Sequence, residues 1–345
     1  MNKAKKEGQM KYLYLFGGAV GDALLGLHLA RTLDAARPGS RLLLISTRHN
    51  TFVRELMRSI PFAQYVELPK TDFKSWVTLV MLAISSCRAA VFEPLSAPMP
   101  LWWTLLLRAA TTRKNSYAVL CSTQECQRNP RERVVSYDCR TENMFDLVPR
   151  ISAAWGLPAP VLQPVLEISQ YSVSERLQEP YIVFHFFAPS VLRSFPPPHS
   201  LELLRSVRKK FPQHRLVLTC SRSQQVQAEQ LATAVDAEVL CDSAPSELIL
   251  VLARASVYVG VDTGITHLAC HLGTSCVVLG NCSNPCWLPY YAPQAIILFE
   301  KARCTCKGDK KGDCRAYVDG RPYYRCLLDI TEKEIIEAIE QKLNY

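Results

Sequence analysis

Twice along this 345-residue chain a short continuous apolar run passes into a turn and then a helical pattern, several times over. Tyr12 to Phe16 reads as a buried strand, followed by a glycine-rich turn and a helix from about Ala23 to Ala36. Arg41 to Ser46, Val66 to Leu68 and Ala89 to Phe92 read as further strands, with helices from about Asn50 to Arg58 and from Asp72 to Ser86 between them. This alternation constrains the fold more than any other feature. Strands separated by helices cannot pair through tight turns. They lie parallel, with the helices covering both faces, and strands buried on both sides read as unbroken apolar runs.

A helical stretch from Thr141 to Ala154 leads into a proline-rich segment ending at Pro164, which reads as a linker. The rhythm then restarts. Strands are expected at 181–184, 215–219, 238–240, 257–261 and 276–279, and helices at 200–210, 223–235, 245–253, 264–271 and 332–343. The expectation is an α/β protein of two Rossmann-like doubly wound domains, 1–164 and 165–345, facing a central cleft. The length suits two such domains better than one. With 48% hydrophobic and 21% charged residues, each half can bury a core.

Lys3, Lys5 and Lys6 precede the first apolar run, as in a signal peptide, but Gly17-Gly18 and Asp22 interrupt it at once. No window offers the roughly 20 apolar residues of a spanning helix. A cytoplasmic protein is therefore expected. The formal net charge of +9 favours anionic partners.

Gly17, Gly18 and Gly21 lie where the first strand meets its helix, and glycines there let backbone N–H groups approach an anion. The dinucleotide pattern is incomplete, because Phe16 holds the first glycine place. Arg48, after the second strand, would suit a 2′-phosphate, so an NADP-linked oxidoreductase stays open as an alternative. Asp22 reads either as a helix cap or as a carboxylate at the carboxyl end of a sheet, able to take a proton from a sugar hydroxyl. In the second half, Asp262-Thr263-Gly264-Ile265-Thr266-His267-Leu268-Ala269 follows a buried strand. The Thr263 hydroxyl and the N–H groups near Gly264 would meet a diphosphate at the helix mouth, with His267 one turn in. The bland alternative is a capping turn with a packed core histidine.

That segment, with Leu272-Gly273, Leu279-Gly280 and Trp287-x-Pro289 after it, resembles the signature of glycosyltransferase family 9, the lipopolysaccharide heptosyltransferases. Gly21-Asp22 followed by Leu24 and Leu25 is similar to that family's first strand–helix junction. Arg193-Ser194-Phe195-Pro196 resembles its mid-chain Lys-x-Trp-Pro segment. The resemblance implies a GT-B fold, with an N-terminal acceptor domain, a C-terminal donor domain, and inverting transfer from ADP-heptose to a lipopolysaccharide core or related glycolipid. It implies Asp22 as general base, Arg193 neutralising the leaving diphosphate, and Asp262, Thr263, Gly264 and His267 as the donor loop. No metal or other cofactor is needed for the chemistry if Arg193 and the helix mouth supply the charge. A non-catalytic saccharide-binding relative is the other alternative. Two positions depart from the family pattern. Arginine replaces lysine at 193, changing a point charge into a planar fork. The turn Cys220-Ser221-Arg222-Ser223 shows neither the glycine nor the acid that the family uses at the nucleotide ribose.

Of the 14 cysteines, Cys304, Cys306, Cys314 and Cys326 cluster in a Lys-, Gly- and Asp-rich loop at 304–326. Four thiolates would bind one structural zinc tetrahedrally, with free thiols, an iron centre or disulfides as alternatives. Arg48, His49, Arg54, Arg58, Lys70 and Lys74, with the apolar stretch from Pro98 to Arg108, would suit peripheral docking on the inner face of an anionic membrane. The same residues also read as a buried helix among solvated charges. No nucleic-acid motif accompanies them.

Overall fold

The computed structural model describes residues 12–58, 60–69, 72–85, 88–92, 117–121, 134–137, 142–160, 166, 180–282, 285–299 and 314–344. The chain divides into two compact units, Met1–Leu162 and Gln163–Tyr345. No helix among the described residues is long and apolar enough to cross a membrane.

The first unit carries strands β1 (Tyr12–Phe16), β2 (Leu42–Ser46), β3 (Ala63–Glu67), β4 (Arg88–Phe92), β5 (Tyr117–Cys121) and β6 (Val134–Tyr137). All pair in parallel, in the order β3-β2-β1-β4-β5-β6. Helices α1 (Val20–Ala36), α2 (Thr51–Arg58), α3 (Phe73–Ser85) and α4 (Leu147–Ala154) belong to this unit. Two starts follow from capping chemistry. Asn50 Oδ1 accepts from Val53 N at 3.1 Å, and Asp72 Oδ2 accepts from Ser75 N at 3.1 Å. Helix α1 is buried almost throughout, because it lies between the sheet and α4. Gly26 makes that packing possible, since a Cβ there would fall 2.6 Å from Leu44 Cδ2 and 2.8 Å from Tyr14 Cδ1. Tyr12 packs edge-on to the buried Trp155 at 5.5 Å.

The second unit repeats the plan with β7 (Tyr181–His185), β8 (Arg215–Cys220), β9 (Glu238–Cys241), β10 (Val257–Val261), β11 (Cys276–Leu279) and β12 (Ala295–Leu298). Its order is β12-β11-β10-β7-β8-β9, again all parallel. In both sheets the strand order reverses beside the first strand, between β1 and β4 and between β7 and β10. That is where open α/β sheets leave a crevice at their carboxyl edge. Helices α5 (Pro197–Lys210), α6 (Gln225–Thr233), α7 (Pro245–Arg254), α8 (Gly264–His271), α9 (Arg325–Leu328) and α10 (Glu332–Leu343) complete the unit. The core joins Phe184, Phe186, Val259 and Leu279 to Ile335 and Ile339 of α10.

A separate antiparallel hairpin, β13 (Arg315–Val318) and β14 (Arg321–Tyr324), turns at Asp319-Gly320. Both turn residues have positive φ, 49° and 74°, as a two-residue type I′ turn requires. This hairpin corrects the reading of the tail as plain loop. Helix α1 is a second correction. It begins at Val20 rather than Ala23, with Ala19 as its N-cap, so Asp22 stands inside the first turn and is not the cap.

Candidate functional site

At the switch point of the second sheet, β10 ends at Val261 and the chain turns through Asp262 and Thr263 into α8. Thr263 is the N-cap, in extended conformation with no capping bond from its own side chain. The turn is braced from beneath. Tyr258 Oη lies 2.9 Å from Thr266 Oγ1, which donates to Val261 O at 2.5 Å. The Tyr258 ring reaches Thr266 by lying across Gly260, where an added Cβ would come 2.3 Å from Tyr258 Oη and 2.6 Å from Cζ. Gly260→Ala should therefore cost about 1–3 kcal/mol through overpacking and disturb the turn that the ring supports. Thermal unfolding checks the first effect and nucleotide affinity the second.

Arg193 arrives from the connection after β7, on the 3₁₀ turn Val191–Arg193. Its Nη2 donates to Asp262 O at 2.6 Å and lies 3.8 Å from Asp262 Oδ2. Its buried Nε–H finds no hydrogen-bond partner among the described residues. A buried guanidinium N–H left without an acceptor is costly unless something anionic joins it. Asp262 is buried, and burial pushes its carboxyl up to about 6 against the pull of Arg193. His267 Nε2 lies 3.7 Å from Asp262 Oδ1, and the Trp287 ring meets His267 edge-on at 5.9 Å. Burial, with His271 and Arg193 adding, lowers His267 to about 3, so it is neutral. The structure thus brings Arg193, Asp262, Thr263, Gly264 and His267 together around one helix start. Sequence reasoning missed Tyr291, whose hydroxyl lies 3.2 Å from His267 Nδ1.

It also missed an acid at the β8 turn. Asp242, just past β9 with φ 48°, accepts from Arg222 N at 3.0 Å and Nε at 3.3 Å. The Cys220–Ser223 turn is thus held by a carboxylate from beside the neighbouring strand.

In the first unit, the buried Asp22 sits at the carboxyl end of β1, its carboxylate on the side of Gly17, where an added Cβ would lie 3.7 Å from Asp22 Oδ2. Gly21 precedes it, buried in the first turn of α1. Gly18 serves packing. At φ 91°, its missing Cβ would meet Ser46 Oγ at 2.8 Å and Arg48 Cβ at 3.2 Å, and its carbonyl accepts from Asn50 Nδ2 at 2.8 Å. The turn therefore closes against the end of β2. Two members of the basic flank, His49 and Arg54, bond to Glu67, which also accepts from Asn50 N and Tyr65 Oη. Burial pushes the Glu67 carboxyl up, but these donors outweigh it and hold it at about 2. The stretch from Pro98 to Arg108 lies outside the described residues.

A separate thiol cluster stands beyond β11. Cys282, Cys314 and Cys326 are buried, with their Sγ atoms all within 4.8 Å of one another. Cys282 N donates to Cys326 Sγ at 3.3 Å, and Cys282 Sγ lies 3.6 Å from Cys314 Sγ. Hydrogen bonding from Cys282 holds the Cys326 thiol down at about 7 despite burial. Cys314 and Cys326 flank the β13–β14 hairpin, and Arg325 N donates to Cys314 O at 2.8 Å across its base. Cys282 was absent from the tail set read in the sequence, and Cys304 and Cys306 lie outside the described residues. Tetrahedral zinc with Zn–S near 2.3 Å sets thiolates about 3.8 Å apart, a spacing this trio fits.

The family model for glycosyltransferase family 9 (heptosyltransferase) matches residues 110–316. No curated protein matches by sequence. Among solved structures, the chain is similar to ADP-heptose lipopolysaccharide heptosyltransferase II of E. coli. The TM-score is 0.66 and the identity 20%, over 97% of this chain and 99% of that one. It is similar to the E. coli heptosyltransferase WaaC with ADP, at TM-score 0.65 and 15% identity, over 96% of this chain and 99% of that one. It is also similar to the iron-containing dodecameric glycosyltransferase TibC from enterotoxigenic E. coli, at TM-score 0.57 and 14% identity, over 97% and 78%. These likenesses establish the α/β, GT-B fold class. With the family model matched over more than half of its length, the chain belongs to glycosyltransferase family 9, the heptosyltransferases.

Proposed function

We propose that the chain transfers a sugar, heptose from ADP-heptose, with inversion, onto a lipid-anchored saccharide acceptor such as a lipopolysaccharide core. The observation that carries this reading is the Arg193 guanidinium, anchored to Asp262 O with a buried Nε–H left over, beside the start of α8. An anion with several oxygens suits that arrangement, because it accepts from the planar fork and from helix N–H groups at once. Solved relatives carry ADP or an ADP-heptose analogue, which supports a nucleotide-diphosphate donor here.

In this mechanism Asp22 takes the proton of the acceptor hydroxyl as its oxygen attacks the anomeric carbon. The bond from that carbon to the diphosphate breaks, and charge grows on the leaving oxygens. Arg193, the N–H groups around Gly264 and the His267 ring meet that charge. The first unit would bind the acceptor, at the face of an anionic membrane, and the second the donor.

Cys282, Cys314 and Cys326 would hold a structural metal ion, zinc or iron, with Cys304 or Cys306 as a source of a fourth thiolate. Such an ion would fix the hairpin to the sheet and supply no step of the transfer.

A thermal-shift series with ADP-, UDP-, GDP- and CMP-sugars tests the donor. At 100 times its Kd, ADP-heptose should stabilise the protein by about 2.7 kcal/mol, with the other nucleotides well below it. A response to another nucleotide alone would overturn the donor, and one to NADP alone would overturn the transferase.

A further inference from the structure

Two thiols meet at the carboxyl end of the second sheet, apart from the tail cluster. Cys220 closes β8 and Cys241 closes β9, and the two are register partners in the parallel pairing. Neighbouring strands lie about 4.8 Å apart, inside the roughly 4.4–6.8 Å over which two Cα atoms accept a disulfide. Register partners present their side chains to the same face of a sheet. Accordingly, Cys220 belongs to the apolar core of the second unit and Cys241 packs against it. Both stand as free thiols.

The two differ in access. Cys220 is buried, and burial, with Cys241 beside it, pushes its thiol up to about 12. Cys241 is half-buried on β9, an edge strand of the sheet. Cys241 is therefore the thiol an oxidant meets first, with Cys220 behind it.

Both thiols sit among the supports of one turn. Cys241 Sγ donates to Gln225 Oε1 at 3.6 Å, and Gln225 opens α6 directly after the turn Arg222–Gln224. Asp242 N donates to Cys220 O at 3.1 Å, and the Asp242 carboxylate accepts from Arg222 N and Nε.

We propose that Cys220 and Cys241 form a reversible disulfide when a hydroperoxide reaches Cys241, and that this bond loosens the turn at Arg222–Gln224. The Cys241 sulfur attacks one peroxide oxygen, the O–O bond breaks, and the thiol proton leaves with the other oxygen as water or alcohol. The Cys220 sulfur then attacks the resulting sulfenic sulfur, and its own proton departs with the hydroxyl as water. The two thiols give up two electrons and the peroxide takes them. The S–H that Cys241 donated to Gln225 is lost in the process. A dithiol reductant restores both thiols. That the turn serves the donor nucleotide rests on the nucleotide-sugar reading, but the disulfide does not.

The test is a non-reducing peptide map of the full chain before and after hydrogen peroxide, with amide exchange measured on the same samples. Treated wild type should yield a linked peptide pair carrying Cys220 and Cys241, which dithiothreitol removes. In Cys220→Ser, dimedone should instead trap Cys241 as its sulfenic acid. Exchange across Ser221–Gln225 should quicken in the oxidised protein, and ADP should bind about two- to tenfold more weakly, the worth of one hydrogen bond. In Cys241→Ser neither quantity should respond to peroxide. Recovery of both cysteines without the linked pair overturns the proposal, as does a linked pair with unchanged exchange at the turn. ADP that binds neither the reduced nor the oxidised protein counts against the donor reading, while the map and the exchange still decide the disulfide.

Discussion

Asp22→Asn should slow sugar transfer by about two to four orders of magnitude, the usual worth of a positioned general base. The substitution keeps the size of a buried side chain and removes its negative charge, and with it the capacity to take a proton. Asp22 is not the cap of α1 but a first-turn acid, so no capping bond is lost. Such an acid contributes about 0.3–1 kcal/mol through the helix dipole. The residues proposed to hold the donor belong to the other compact unit, so ADP should bind Asp22→Asn with its wild-type Kd. Steady-state kinetics with ADP-heptose and acceptor, beside calorimetry with ADP alone, separates the two effects. Turnover within a few-fold of wild type would remove Asp22 from the mechanism.

Cys282→Ser should strip the tail of its metal and lower the melting temperature by about 6–12 °C, if the ion contributes at least about 3 kcal/mol. The three thiols come from two places in the sequence, after β11 and on either side of the β13–β14 hairpin, so the ion would join segments that are distant along the chain. Purified wild type should carry about one metal ion per chain by elemental analysis. A chelator should reproduce the melting shift in wild type and have no effect on Cys282→Ser. Protein that comes without metal and is indifferent to chelator would return these residues to the class of buried free thiols.

The strands buried on both faces were legible because such strands leave continuous apolar runs, as at Tyr12–Phe16 and Val257–Val261. Short strands such as Val134–Tyr137 and Ala295–Leu298 give four residues of signal and no helical partner of clear period, and were missed. The start of α1 was misplaced because Ala19 gives no capping signature while Asp22 imitates one. The hairpin was missed although Asp319-Gly320 is a strong turn signal, because the surrounding Lys, Gly and Asp residues read as loop.

The site was legible where its residues adjoin in sequence, as along Asp262–His267. It was not legible where the sheet gathers distant residues. Asp242 reaches the β8 turn only because β9 pairs beside β8, and Cys282 meets the tail thiols only because β11 delivers it there. Tyr291 reaches His267 across 24 positions of chain. No spacing rule connects such pairs.

The turn at Asp319-Gly320 bears on how the tail would exchange its ion. It joins the segments of Cys314 and Cys326 by backbone pairing, so the peptide itself outlines the proposed chelate. Most of the ordering entropy is then spent by the peptide and not by the ligation step. An ion could therefore leave and return without melting the domain, and capture would be governed by thiol deprotonation rather than by refolding.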